Sequence, residues 1–417
     1  MLMNDEQTRY ESWQHLLLRA AHEMSLSAAQ YSTIRARYDQ LQGILSASDH
    51  PLLQGAHIFV QGSIRLQTTI KPVPEAPGEM NTVDADAVVW LPHAQGASAD
   101  EVLAVIEQRF QEGSRVQQAI QPLRRGIRIV YADEAPGFHI DVTPARAKAG
   151  NAQDNGEGML EVPDRHTGWK ASSPIPYAQW LAAVSEQEVM ILESVALNRR
   201  AIIFDAATQD PMPAYEDYME QDPLRATIKL LKRHRDEWAI RTHHEAVRPI
   251  SAVITTLATQ AYLEVVKASR LQPITPLDAI VQIVRRMASF IGFHGGNAYV
   301  LNPADAGENF AEKWNRPQEG QHYRDAFYRW HEEACDAVLL GLQDAGSADA
   351  FAEAFKRSFG IGPTFIKGVN NELPANWTLP GRAAGMTRNA MLMGSLFGAS
   401  TASAHSQASA TPVGRLG

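Results

Sequence analysis

A single cysteine in 417 residues, Cys335 in "WHEEACDAVLLGL", has no intrachain partner, which excludes a fold stapled by disulfides. It reads as a small buried hydrophobe on a helix. No apolar run approaches the roughly 20 residues that a bilayer crossing needs, so no membrane partner is expected. The opening "MLMNDEQTRYESW" lacks the basic and apolar regions of a secretory signal. A reducing cytoplasm is the setting these absences suggest. A basic surplus is missing too: the formal net charge is −9, so no strong nucleic-acid surface is expected. The fourteen histidines show no Cys/His ligand spacing, and "RTHHEAV" at 241–247, their densest cluster, is only a weak metal candidate.

What is present is an ordinary globular balance, with 45% hydrophobic and 20% charged residues, in a chain long enough for two lobes. "ESWQHLLLRAAHEM" and "SAAQYSTIRARYDQLQGIL" carry apolar residues at helical spacing, with Ser27 as an N-cap. The pattern then changes. "AHIFVQG" and "DADAVVWLP" read as strands, "SADEVLAVIEQRFQEG" as an amphipathic helix, and "GIRIVYADEAPGFHIDVTPA" as a hairpin. Beyond about residue 170 helices dominate, over 176–197, 222–240, 250–268, 276–291, 323–342 and 347–358, with Asp222-Pro223 a strong helix start. The expected fold class is α+β and bilobed. A mixed α/β catalytic lobe over 1–170 precedes a helical lobe over 171–396, with the N-terminal helices bracing both. Residues 397–417, small and polar, read as a disordered tail.

Two carboxylates at alternate strand positions point to one face, so Asp84 and Asp86 of "NTVDADAVVWLP" project side by side. Such a pair repels itself unless a cation lies between, and magnesium suits it because it takes hard oxygen ligands and leaves room for phosphate. Asp141, the one carboxylate in "GFHIDVTPA", offers a third such group, on the strand face it shares with His139 and Thr143. With it, two metals can be held, one for the attacking hydroxyl and one for the leaving pyrophosphate. Gly62-Ser63, in "FVQGSIRLQTT", supplies a turn whose backbone can approach phosphate, opening a helix whose free N–H groups can bind it. Either feature alone is weak; an isolated Asp-x-Asp is more often solvated, and a lone Gly-Ser pair is an ordinary turn.

Together, "FVQGSIRLQTTIKPV", "VDADAVVWLP" and "FHIDVTPA" resemble the polymerase-β-like nucleotidyltransferases. More narrowly, with "EVPDRHTGWKASSPIPYAQWL", "DPLRATIKLLKRHRDEW" and "RPISAVITTLATQAY", they resemble the bacterial cGAS/DncV-like nucleotidyltransferases of anti-phage CBASS systems, over roughly residues 30–270. The resemblance implies a cyclic di- or trinucleotide made from nucleoside triphosphates, ATP and GTP foremost, with two Mg²⁺ ions or Mn²⁺ in their place. The product would activate an effector protein. It further implies that Gly62 and Ser63 hold the donor triphosphate and that Asp84 and Asp86 bind both metals. Asp141 would complete the site, and Lys229 and Ser251 would touch the phosphates, Lys232 rivalling Lys229.

On residue grounds alone, Arg225, Lys229 and Lys232 form a cationic row beside the apolar Leu224, Ile228, Leu231 and Trp238. A cleft rim and a solvated basic face both fit that row, and Ser251 fits an N-cap as well as a phosphate ligand. Gln61, Arg65 and Thr68 flank the phosphate turn. Trp169 beside Lys170 is either a base-stacking or a structural residue, and Arg128 in "RRGIR" reads as a solvated strand position. Some related operons carry ubiquitin-transfer-like enzymes, for which Gly417 on its flexible leash would be a conjugation site. Two other functions compete with cyclic nucleotide synthesis: transfer of nucleotides to RNA or protein, and a non-catalytic nucleotide-binding scaffold.

Overall fold

The computed structural model describes residues 4–74, 76–113, 120–131, 137–150, 154–191, 222–387 and 389. The expectations for the tail and Gly417 lie outside these residues. Two compact units emerge: Met1–Leu17, Leu340–Ala354 and Ile361–Gly417 form one, Leu18–Leu339 with Phe355–Gly360 the other. In the first, Trp13 is fully buried with Phe351 edge-on to it at 6.1 Å and Gly341 pressed on its ring. Within that unit the Thr378 N–H donates to Thr8 Oγ1 at 3.1 Å.

The second unit holds the chemistry. The last part of helix α1 (Asp5–Glu23), from Leu18 on, belongs to it and leads to α2 (Ala28–Ser46), whose start is fixed by a reciprocal capping box between Ser27 and Gln30. Strand β1 (His57–Gln61) runs directly into the short helix α3 (Gly62–Arg65), and β2 (Val83–Trp90) returns beside it. Helix α4 (Ala99–Gly113) follows, then β3 (Ile120–Pro122), β4 (Ile127–Tyr131), β5 (Phe138–Ala147), β6 (Leu160–Asp164) and β7 (Gly168–Ser172). The sheet order is β1-β2-β5-β4-β3, with β6 on β5 and β7 on β6. Only the β2–β5 pair is parallel.

Period-two patterning places the core. Val83, Ala85 and Ala87 of β2 and Phe138, Ile140 and Val142 of β5 are buried, sharing one apolar cluster with Tyr38 and Leu41 of α2 and Val102, Ile106 and Phe110 of α4. The polar members of β2 and β5 therefore face away from those helices.

Helices α5 (Pro174–Ser185), α6 (Pro223–Thr242), α7 (Ser251–Ser269), α8 (Pro276–Arg286) and α9 (Gly320–Ala337) follow. Helix α6 begins as expected, the Asp222 carboxylate accepting the Arg225 N–H at 2.9 Å. α5 is shorter than the 176–197 expected; by Ile191 the chain has left the helix to form a bridge with Ile274. The later region also holds two small hairpins, β8 (Gly292–His294) with β9 (Asn297–Tyr299) and β10 (Leu301–Asn302) with β11 (Asp305–Asn309). Their strands of two to five residues are too short for a period-two signal. Helices α10 (Ala348–Phe359) and α11 (Pro363–Glu372) follow, and beyond them Thr378 forms a bridge with Thr387. No helix among the described residues is long and apolar enough to cross a membrane.

Candidate active site

Strand register brings four residues into one rank across the sheet. Gln61 pairs with Asp86, Asp86 with Asp141, and Asp141 with Arg128. In the adjoining rank Asp84 lies beside His139. Cross-strand neighbours on one face interact, and two charge pairs result. Arg128 grips Asp141 with two bonds, Nε to Oδ1 at 2.7 Å and Nη2 to Oδ2 at 2.8 Å. The His139 Nε2 meets Asp84 Oδ1 at 3.0 Å, while His139 Nδ1 lies 3.1 Å from the Thr82 hydroxyl.

The three carboxylates therefore sit in different electrostatic settings. Burial raises the pKa of Asp84, but the hydrogen bond and charge of His139, with Arg128 and Lys232 behind it, overcome burial and hold it below the usual range. Its side chain is 61% accessible because it faces an open cavity whose walls otherwise surround it. For Asp141 burial prevails and raises the pKa despite Arg128. Asp86 is pushed well above the usual range by burial first and then by the charges of Asp84 and Asp141. Of the three, it is the carboxylate most in need of an added positive charge.

Gly62 touches that same group. It has φ +62°, and a Cβ there would overlap the Asp86 carboxylate, whose Cγ would be 2.9 Å away. Only glycine both adopts this backbone and permits that approach. Ser63 follows, its hydroxyl accepting from Thr69 Oγ1 at 3.0 Å. No side chain caps the N-terminus of α3, so its first N–H groups are not consumed by a cap.

Gly62, Ser63, Asp84 and Asp86 line one cavity of about 340 Å³, together with Gln61, Arg65 and Thr68. On the α6 and α7 side the lining includes Lys232, Arg235 and Ser251. The Lys232 ammonium donates to the Thr68 carbonyl at 2.8 Å. Burial first, then Arg235, push its pKa down to about 8. Lys229, by contrast, is not part of the lining: it is buried and donates to Ser25 Oγ at 2.9 Å. Between the two rivals the geometry favours Lys232. Both are about 5% exposed or less, so the basic row of α6 is an interior feature and not a solvated face. Ser251 is the first residue of α7, preceded by Ile250 at the cap position, and its hydroxyl accepts from Arg235 Nη1 at 3.0 Å.

Several side chains were not legible in the sequence as site residues. Arg128 faces the catalytic rank instead of solvent, because the β4–β5 register sets it opposite Asp141. His139 shares the Asp141 face, which the alternation does predict, yet its partner lies on another strand. Arg235, two turns into a run of charges, gave no signal of its own. Trp169 is not available for base stacking: Arg146 sits over its ring, Cζ 3.8 Å from the centroid. Among the described residues, Asp84, His139 and Asp141 are the one group of three potential ligands whose atoms lie within 4.8 Å of each other, so "RTHHEAV" provides no such cluster.

The donor set suits a hard divalent cation. It offers the Asp84 and Asp86 carboxylates in a cavity that would also admit phosphate, and an Asp86 whose ionisation is opposed until positive charge arrives. Asp141 lies beside them in the sheet but outside the cavity lining, held by Arg128. Asp84, Asp86 and Asp141 are the residues that would hold such ions.

Residues 13–184 match the model of the Second Messenger Oligonucleotide or Dinucleotide Synthetase domain. None of the curated proteins matches the chain. Among solved structures, the chain is similar to the CD-NTase CdnG of Bradyrhizobium diazoefficiens in complex with GTP, at 16% identity and a TM-score of 0.56, over 86% of this chain and 98% of that one. It is similar also to CdnC of Escherichia coli MS115-1 with ATP, at 13% identity and a TM-score of 0.53, over 83% and 97%. A CdnC:HORMA-deltaN complex from the same strain matches at 14% identity and a TM-score of 0.54, over 83% and 96%. Residues 13–184, which carry the glycine turn and the carboxylate rank, are thus a Second Messenger Oligonucleotide or Dinucleotide Synthetase domain, set within a fold similar to that of these CD-NTases.

Proposed function

We propose that this enzyme joins nucleoside triphosphates, ATP and GTP foremost, into a cyclic di- or trinucleotide that activates an effector in anti-phage defence. The observation that carries the site assignment is the shared rank of Asp86 and Asp141 with Gly62 packed against Asp86. In this reading Gly62 and Ser63 cradle the donor triphosphate, and Gln61 borders it. Lys232 and Arg235 neutralise phosphate charge from the opposite wall, while Ser251 adds a hydroxyl. The acceptor hydroxyl attacks the α-phosphorus, the new phosphodiester bond forms, and pyrophosphate leaves. A second or third round within the same cavity closes the ring. Two Mg²⁺ ions, or Mn²⁺, held by Asp84 and Asp86 with Asp141 on one of them, would supply Lewis-acid charge at the phosphorus and ease deprotonation of the acceptor hydroxyl. The protein's own contribution is positioning and charge, which is most of what phosphoryl chemistry requires. His139 and Arg128 keep the Asp84 and Asp141 carboxylates oriented. Residues 1–170 form the catalytic lobe and 171–396 the helical lobe in this proposal.

Incubating the purified protein with labelled ATP, GTP, CTP and UTP and Mg²⁺, then phosphatase, then mass analysis, tests the reading. A small phosphatase-resistant product supports it; label fixed on RNA or protein selects macromolecular transfer, and no turnover selects the scaffold. The proposal includes a ubiquitin-transfer-like partner at Gly417, for which mass spectrometry of the protein from its native host should find isopeptide adducts.

A further inference from the structure

One wall of the cavity takes no part in the transfer chemistry. Strand β7 ends at Ser172, the chain turns into α5, and hairpin β10–β11 packs beside this junction. From here Ser172, Tyr177, Asn302, Glu308 and Phe310 reach the cavity. Glu308 is held firmly. Its Oε2 accepts the Ser173 N–H at 3.2 Å and Asn302 Nδ2 at 2.7 Å. Asn302 is 1% exposed, and its Oδ1 accepts the Ala304 N–H at 2.9 Å, so its donor end is committed to Glu308. The Ser173 hydroxyl donates to Asp305 Oδ2 at 2.8 Å.

This carboxylate has no ion-pair partner among the described residues; the nearby lysine, Lys148, lies 3.6 Å from Asp305 instead. Burial accordingly pushes its pKa up, against the hydrogen bonds from Asn302, Ser173 and Ser172. A carboxylate offers about four lone-pair sites, so the bonds from Ser173, Asn302 and Ser172 leave Glu308 with capacity to accept from a ligand. Beside it, the Tyr177 and Phe310 rings pack edge-on at 5.4 Å and 70° and give the wall an apolar surface. An immobilised acceptor next to aromatic carbon matches a flat heterocycle with hydrogen-bond donors on its edge. Among the four bases only guanine places two donors, N1–H and the N2 amino group, side by side. Adenine and cytosine each set a ring acceptor beside their amino group, which would oppose the carboxylate. Uracil flanks its single donor with two carbonyls.

We propose that Glu308 reads the N1–H and N2-amino edge of a guanine base, making GTP a preferred substrate. This rests on the nucleotide-binding reading of the cavity. The competing role, a tie between the hairpin and the β7–α5 junction, would require the same bonds from Ser173 and Asn302 but would not discriminate bases.

Equilibrium binding of GTP, inosine triphosphate and ATP, measured by competition with a fluorescent nucleotide in Ca²⁺, separates the two. Wild-type protein should bind GTP ~10- to 100-fold more tightly than ATP, with inosine triphosphate, which lacks the N2 amino group, between them. Glu308→Gln retains a carbonyl for Ser173 and Asn302, so its melting temperature should hold while the GTP preference falls to within about threefold of ATP. Equal wild-type affinities for GTP and ATP, or an unchanged ratio in Glu308→Gln, would overturn the assignment. Should Glu308→Gln fail to fold, the wild-type ranking of the three nucleotides decides alone. Binding of none of them would instead refute the nucleotide reading beneath the proposal.

Discussion

Asp86 is destabilising in the metal-free cavity and indispensable in the loaded one. Its ionisation is opposed by burial and by Asp84 and Asp141, so removing its charge should relieve repulsion. Asp86→Asn is expected to raise thermal stability without metal by about 1 kcal/mol, while product formation falls by roughly 10²- to 10³-fold or more. Calorimetry and product assays on one preparation check both halves. At Gly62 the expectation is reversed in form: Gly62→Ala meets both the positive φ and the Asp86 carboxylate. It should cost about 1–2 kcal/mol and impair turnover by displacing Asp86. The two lysines of α6 should behave differently. Lys232→Ala should raise KM for triphosphate, because the residue lines the cavity, whereas Lys229→Ala should show mainly as lost stability through its bond to Ser25.

At the scale of elements, the β4–β5 pairing supplies Arg128 to Asp141. Removing one partner of a largely buried pair leaves the other uncompensated. With both side chains still 15–18% accessible, Arg128→Ala should cost on the order of 1–3 kcal/mol at neutral pH. The sign with pH follows: Asp141 has a raised pKa, so it destabilises the fold when ionised and stops doing so as it is protonated. The loss in Arg128→Ala should therefore shrink as pH falls from 7.5 toward 5, read by melting temperature, and Mg²⁺ should restore part of it at pH 7.5. This pairing also marks the limit of sequence reasoning. The alternation within "DADAVV" and "FHIDVT" told which residues share a face, and the structure places Asp84, Asp86 and Asp141 accordingly. Register between strands is not written in either strand alone, so the sequence gives no sign that Arg128 meets Asp141 or that His139 meets Asp84. The basic row of α6 shows the same limit: its spacing was visible, but its burial depends on the segments around Ser25 and Thr68 that receive the ammonium groups.

For the whole molecule, metal binding should be linked to protons. A divalent ion must favour the ionised Asp86, whose pKa is raised without it, so binding should release protons and weaken as pH falls. Calorimetric titration of Mg²⁺ in buffers of different ionisation enthalpy measures the number released. Overall architecture was more legible than the site's polar detail because capping signals and long amphipathic segments act locally. The Asp222-Pro223 start, the Ser27 cap and the strand-rich first part all stand where the chain's own pattern put them. The hairpins β8–β9 and β10–β11 did not, their strands being too short to show alternation; with them Glu308, the proposed base reader, escaped notice.

The central claim is that Asp84, Asp86 and Asp141 gather divalent ions beside a triphosphate held at Gly62 and Ser63. Anomalous diffraction from crystals soaked with Mn²⁺ and a non-hydrolysable nucleoside triphosphate tests it most directly. Two manganese peaks bound by Asp84 and Asp86, one of them also by Asp141, with polyphosphate against Gly62, are the predicted result. A fully bound nucleotide with no manganese at these carboxylates, or manganese held elsewhere in the chain, would contradict it.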